Sequence, residues 1–229
     1  MDYSFLTVYY NYFISGTLVT LLISLITVVF GTILGVLLAL MKRSEIKPFR
    51  WFANIYIEVF RGTPMLVQIM IGMGLLHNVF HLPITTIGVL DIDFSRLVPG
   101  IIALSLNSGA YVAEIVRGGI NAVDKGQFEA SGSLGLRPTQ TMRYVVLPQA
   151  MRNIIPPLGN EFITLIKDSS LLSTIGIYEL MNSAQIVINS SFIALKPLYV
   201  AASIYLILTF STSRLLKLWE NKMSKGYQG

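Results

Sequence analysis

Cysteine is absent from the 229 residues, which excludes disulfides, thiolate metal sites and a cysteine nucleophile. Charge is scarce: 13% of residues are ionisable, where a soluble domain carries about 25%. The histidines are two, His77 and His81. Their i,i+4 spacing would suit a metal, but they sit at the end of an apolar run beside Pro83, so a solvated interface is the plainer reading and no metal site is assigned. No G-x4-G-K-[ST] occurs, so the chain has no loop of its own to cradle ATP phosphates. Neither H-E-x-x-H nor G-x-S-x-G occurs. Glu161 therefore lacks the nucleophile or metal that an intramembrane hydrolase would need.

What is present is apolar. Hydrophobic residues make up 53% of the chain and the mean hydropathy is +0.65, the composition of an integral membrane protein. The length allows five or six spans of about 20 residues. Five runs stand out, at about Tyr12–Met41, Trp51–Phe80, Leu97–Val116, Asn153–Ile175 and Leu198–Leu218. The second is interrupted by Gly62-Thr63-Pro64. In the first, Gly31-x-x-x-Gly35 permits close helix approach. In the fifth, Ser203, Thr209 and Ser211 to Ser213 suggest polar contacts between helices. The chain reads as one membrane domain over 1–229, all α-helical. The stretch from Met1 to Phe13 has no Lys or Arg, unlike a cleaved signal peptide, and is expected to be retained with its tyrosines in the aromatic belt.

The +5 net charge has the sign that nucleic acid attracts, but its placement argues against that partner. Lys42, Arg43, Lys47 and Arg50 follow the first run. Arg117, Lys125, Arg137, Arg143 and Arg152 follow the third, and Arg214, Lys217, Lys222 and Lys225 close the fifth. Of the 17 basic residues only Arg61, Arg96, Lys167 and Lys196 fall elsewhere. The opposite loops, about 81–96 and 177–197, carry Asp91, Asp93 and Glu179 against Arg96 and Lys196. Basic residues concentrate on the cytoplasmic side, so the N-terminus is expected outside and the C-terminus in the cytoplasm.

Ionisable groups near a bilayer centre cost roughly 2.5–3.5 kcal/mol each on insertion scales, so those inside the runs call for a reason. Counted up a helix from Arg50, Glu58 and Arg61 come about 12 and 17 Å deep, spaced to neutralise each other. Asn54, Glu58, Arg61, Met65 and Gln68 form one stripe. Pro64 removes a backbone donor and disfavours helix at Thr63, and a helix broken at depth belongs inside protein or beside water. The fourth run carries Asn160, Glu161, Thr164, Lys167 and Asp168. Glu161, Thr164 or Leu165, and Asp168 share a face, with an irregular start expected at Pro156-Pro157 and Gly159. An amino acid's ammonium would suit these carboxylates, and its carboxylate the cations or free N–H groups. Internal pairing of Lys167 with Asp168, with Glu161 bonded to another helix, is the structural alternative. The third run ends with Asn107, Tyr111, Glu114 and Arg117 or Gly118 on one face, with Glu114 and Arg117 read as a pair at the cytoplasmic boundary. The candidate path is thus Gly62, Thr63, Pro64, Met65, Gln68, Tyr111, Asn160, Glu161, Thr164 and Asp168.

Between the third and fourth runs, about 121–150, lies a water-facing segment punctuated by Gly and Pro. It contains Glu129-Ala130-Ser131-x-x-x-Gly135 and then Val145-x-Leu147-Pro148. Gly126 would end one element, Phe128 to Leu134 would form a short helix, and Gly135 would permit a turn. A second short helix would start at Pro138 and stop at Pro148. Such a bracket would present Phe128, Ala130 and Leu134 to a partner, since exposed apolar side chains are otherwise a liability.

This segment resembles the cytoplasmic coupling loop of ABC importer permeases, E-A-A-x3-G-x9-I-x-L-P, with Ser131 for the second Ala and Val145 for Ile. Further resemblance to the polar amino-acid uptake permeases lies in Ser15-Gly16-Thr17-Leu18, Tyr56-Ile57-Glu58-Val59-Phe60-Arg61-Gly62-Thr63-Pro64 and the stretch from Gly109 to Ile120. It continues in Gly126-Gln127-x-Glu129-Ala130, Leu147-Pro148-Gln149-Ala150, Asn160-x-Phe162 and Lys167-Asp168-Ser169-Ser170-Leu171. The resemblance implies the five-helix core of the type I, MetI-like importers, in a prokaryotic cell membrane. It implies docking of an ATPase dimer through Gly126, Phe128, Glu129, Ala130, Ser131, Leu134, Gly135, Leu147 and Pro148. ATP and magnesium would sit on those ATPases, and this chain would hold no cofactor. The other partners implied are a second permease copy or relative, an extracytoplasmic solute-binding protein, membrane lipid and a polar amino acid. A stand-alone carrier or channel would explain the charges but not the coupling segment. A membrane scaffold or enzyme would leave the broken second run unexplained.

Overall fold

The computed structural model of the chain describes residues 4–76, 79 and 82–225, with side chains through Asn221. His77, His81 and Phe80 lie outside the described residues. Helix α1 (Phe5–Arg43) is 39 residues long, about 58 Å. It is followed by α2 (Lys47–Gly62), α3 (Met65–Leu76), the hairpin β1 (Ile84–Ile87) and β2 (Leu90–Asp93), and α4 (Phe94–Asn121). Next come α5 (Lys125–Ser133), the single turn α6 (Pro138–Gln140), a π-helical turn at Thr141–Val146, and α7 (Leu147–Asp168). A 3-10 stretch at Ser169–Ile175 leads to α8 (Leu180–Ser191) and α9 (Lys196–Lys225). By length and composition three of these, α1, α4 and α9, suffice to cross a membrane, or up to five spans if each of two bent pairs counts as one.

The core is built on α1 against α4. Gly31 faces Ser108 and Gly35 faces Val112, at distances where an added Cβ would collide. The glycines of the first run are therefore there for helix contact. At the N-terminal end of α1, Phe5 and Phe13 pack with Leu180, Ala184 and Val187 of α8 and Ala201 of α9. The hairpin closes over the same region: Leu90 and Ile92 join Val19 and Ile23 in one buried cluster, and the Val89 N–H reaches Ser15 Oγ at 3.3 Å. Pairing of Ile87 with Leu90 around the turn, a Thr86 Oγ1 bond to Asp91 at 2.8 Å and Gly88 at φ 65° form this hairpin, an addition to the all-helical expectation.

Several sequence expectations change here. The break in the second run is sharper than a proline kink: α3 departs from α2 by 110°. Contacts with α4 hold the two ends of this region: Glu114 accepts from Lys42, just before α2, at 2.8 Å and lies 3.8 Å from Arg61 near the end of α2, and the Asn107 amide bonds the Phe60 carbonyl. The expected Glu58–Arg61 pair does not form: Arg61 turns to Glu114, while Glu58 is exposed and in no ion pair within 4 Å.

The fourth run begins earlier than expected and runs unbroken through Pro156 and Pro157. Packing on both sides holds it: Ile154 lies against Gly119 of α4, and Gly159 lies under Leu216 of α9. The loop expected at 177–197 contains α8, and its Glu179 is 0% exposed, not a solvated outer charge. The polar residues of the fifth run do not join helices in this chain. Ser203 and Thr209 donate to their own helix at Tyr199 and Tyr205.

Candidate functional site

The helix break is held by side chains. In a helix the Phe60 carbonyl would accept from the N–H of residue 64, but Pro64 has none. Two amides take its place: Gln68 Nε2 donates at 2.8 Å and Asn107 Nδ2 at 3.0 Å. One residue earlier, Val59 O accepts from Thr63 Oγ1 at 2.8 Å. Gln68 Nε2 also reaches Thr63 O at 3.1 Å and Thr63 Oγ1 at 2.7 Å, and Gln68 Oε1 accepts from Asn107 Nδ2 at 2.9 Å. A carbonyl only accepts, so both amide nitrogens must point at Phe60. Tyr56 ties α2 to α4 a turn lower, donating to Leu106 O at 2.8 Å.

Beside this break lies a cavity of about 290 Å³, at the small end of ligand sites of about 300–1,000 Å³. Its walls are Thr63, Met65, Asn107, Tyr111, Glu161, Thr164 and Asp168. Of the sequence-named path residues it gathers Thr63, Met65, Tyr111, Glu161, Thr164 and Asp168. Gly62, Pro64, Gln68 and Asn160 are not among its walls. Gly62 and Asn160 are exposed, and no atom stands within 4 Å of where a Gly62 Cβ would be. Asn107 is the wall residue left out of the candidate path, although it shares a helical face with Tyr111, and that shared face was the available signal. Helical periodicity explains the α7 wall: positions 161, 164 and 168 recur on one stripe, while Leu165 turns into the core at 1% exposed.

Glu161 makes one protein bond, accepting from Ser108 Oγ of α4 at 2.8 Å. Lys167 and Asp168 form no ion pair within 4 Å. Arg61 stands 5.4 Å from the centre of the Tyr111 ring, placing a guanidinium at the cavity's edge. Just below, Glu114 bonds Arg117 at 2.7 Å and Lys42 at 2.8 Å, with Arg61 at 3.8 Å. The Glu114–Arg117 contact joins α4 to itself, as expected, but the same carboxylate also ties in α1 and α2. Among the described residues no cluster of three His, Asp or Glu side chains is arranged for a metal. Cavities of about 600 and 360 Å³ are apolar and lie along α1–α4 and α3–α4, and one of about 330 Å³ is bounded by Lys167, Ser170, Ala202 and Tyr205.

The coupling segment forms a bracket with three differences from the sequence expectation. Helix α5 starts at Lys125, with Asp124 capping the Gly126 N–H at 2.7 Å, so Gly126 opens an element. Pro148 does not stop the second helix. It sits in the first turn of α7, where a missing N–H is harmless, just after the π-helical turn. Phe128 is half-buried beneath the bracket, against a cluster containing Val123, Val146 and Ile154. Ser131 is buried, donating to Phe128 O at 2.9 Å. Glu129, Ala130, Gly135, Leu147 and Pro148 are exposed, and Leu134 is 81% exposed. Gly135 turns at φ 78°, and Pro138 opens the second helix.

A family model described as the inner membrane component of binding-protein-dependent transport systems matches residues 31–225. The chain is 43% identical over 212 residues to a protein of Rickettsia felis named as a glutamine transport system permease, GlnP, covering 93% of each. It is 38% identical over 223 residues to the arginine transport system permease protein ArtQ of Bacillus subtilis, covering 97% of each. Its fold is similar to the crystal structure of an amino acid ABC transporter with histidines, at TM-score 0.88 and 41% identity, covering 97% of this chain and 99% of that one. An inward-facing MetNI methionine ABC transporter shares the fold at TM-score 0.71 and 19% identity, with 99% of each covered.

Proposed function

The chain belongs to the family of inner membrane components of binding-protein-dependent transport systems, and we propose that its polar cavity is the station a polar amino acid occupies during import. The chain is the permease subunit of an amino-acid ABC transporter. The observation that carries the cavity reading is the contrast in lining. Two carboxylates, an amide, a phenol and two threonines converge on one space, while the two cavities along α1–α4 and α3–α4 are apolar and a fourth, beside Lys167 and Tyr205, has no carboxylate in its walls. Glu161 and Asp168 suit a substrate ammonium. Asn107, Tyr111 and the neighbouring Arg61 suit its carboxylate. The relatives named for glutamine and arginine transport support the class of cargo.

In this reading the broken helix exposes Thr63 and Met65 to the path, as transporters use discontinuous helices. The N-terminus is outside and the C-terminus cytoplasmic, following the basic clusters. An ATPase dimer docks on Glu129, Ala130, Leu134, Gly135, Leu147 and Pro148, with Phe128 and Ser131 bracing the bracket from beneath. ATP and magnesium belong to that dimer. A second permease copy or relative and an external solute-binding protein complete the importer. A stand-alone carrier would leave Leu134 bare in the cytosol, so the exposed bracket favours the ATP-driven reading.

Two variants test this. Glu161→Gln keeps shape but removes a charge-assisted contact of roughly 1.5–3 kcal/mol, so half-maximal uptake should need about 10- to 100-fold more substrate. An unshifted uptake curve would end the substrate reading. Gly135→Leu strains a turn at positive φ and should cut ATPase co-purification and uptake while the purified chain keeps its helix content. Normal co-purification would dispose of the dock.

A further inference from the structure

We infer that Gln68, which does not line the cavity, is a positioning residue: with Asn107 it latches the helix break and so sets where the Thr63–Met65 wall stands. The need for a latch follows from Pro64. Without its N–H the last turn of α2 keeps an orphan carbonyl at Phe60, and an unpaired carbonyl within a membrane domain is costly. Gln68 lies in the first turns of α3, Phe60 in the last turn of α2 and Asn107 in the middle of α4. The pair therefore staples three helices at the 110° bend. Gln68 also holds both the carbonyl and the hydroxyl of Thr63, and Thr63 and Asn107 are themselves walls of the cavity. Adding nothing to the wall itself, Gln68 fixes one wall residue through its backbone and another through its amide. Gly62, beside the break, meets no neighbour, so packing alone does not hold the bend there.

The link from latch to transport rests on the cavity reading above, whereas the latch itself does not. Gln68→Glu keeps the length and removes both donors, turning a carboxylate toward the Phe60 and Thr63 carbonyls. Gln68→Met removes the polar group without adding charge and serves if the first variant assembles poorly. The chain's lack of cysteine allows spin labels on single introduced cysteines at exposed Ile55 of α2 and Leu75 of α3, in the assembled complex. Pulsed-EPR distances should broaden at least about twofold in either variant, because three bonds crossing the break are lost. The uptake ratio of arginine to glutamine should shift about tenfold, since ångström-scale displacement of a positioning wall has effects of that order. Exchanging the two amides, Gln68→Asn with Asn107→Gln, moves one methylene across the contact and should restore the ratio beyond either single change. A distance distribution as narrow as the parent's would overturn the latch. Broadening with an unmoved uptake ratio would overturn its hold on the cavity wall. The Glu161→Gln uptake curve then tells whether the cavity reading fell with it.

Discussion

Two carboxylates inside the bundle, Glu179 buried and Glu161 half-buried, are treated in opposite ways. Glu179 is 0% exposed and fully subscribed. It accepts from the backbone N–H groups of Met181 at 2.9 Å and Asn182 at 2.8 Å, capping α8. Tyr205 Oη donates at 2.8 Å from α9, and Thr20 Oγ1 lies 3.5 Å away on α1. Glu161 has the single Ser108 bond and a cavity in front of it. A carboxylate has about four acceptor sites. Glu179 spends its capacity holding three helices together, whereas Glu161 has acceptor capacity that Ser108 alone does not fill. On the proposed reading, filled capacity marks the structural acid and unfilled capacity the binding one.

The largest effect expected is at Glu179. Glu179→Gln places an NH2 among N–H and O–H donors and leaves at least one buried donor unpaired, at a cost of about 1–3 kcal/mol. The complex purified with this variant should melt earlier and in lower yield, and substrate dependence of the surviving uptake should be unchanged. On the same melting curves Glu161→Gln should sit near the parent, since its amide can still accept from Ser108 and face the cavity. If Glu161→Gln were the less stable of the two, the contrast between them would be void.

That contrast was only partly legible in the sequence. Glu161, Thr164 and Asp168 could be placed on one stripe because α7 is helical and the spacing is local. Glu179 could not be placed, since its partners Thr20 and Tyr205 are remote in sequence, and an acidic residue between two apolar runs reads as a loop charge. The break at Gly62-Thr63-Pro64 was visible, but not its angle. Nor were the contacts that seat α2 visible, since Lys42 and Arg61 meeting Glu114 and Asn107 reaching Phe60 all join helices remote in sequence. Likewise Pro148 and the Pro156-Pro157 pair looked like breakers by local preference. A preceding π turn and close packing against α4 and α9 overrode them. The coupling segment was read best because its geometry is set by short-range signals: the positive φ at Gly135 and Pro138 at a helix start.

The smallest effect sharpens the comparison most. Ser108→Ala removes the one protein bond to Glu161 while leaving the carboxylate in place. Ser108 is fully buried at the Gly31 crossing, where a smaller Ala side chain fits without a clash. A bond between helices in a membrane is worth about 0.6 kcal/mol on average, so the melting temperature should barely move. If Glu161 meets the substrate, the serine only aims it. Losing that aim should raise the half-maximal substrate concentration by about two- to fivefold, the equivalent of roughly 0.5–1 kcal/mol, and so by less than Glu161→Gln. Were the bond instead the reason Glu161 is there, as the bonds of Glu179 are, the order would reverse. Ser108→Ala would then lower the melting temperature as much as Glu179→Gln does, and the uptake curve would stay where it was. Both measurements on one preparation decide between a carboxylate held for a ligand and a carboxylate held for the fold.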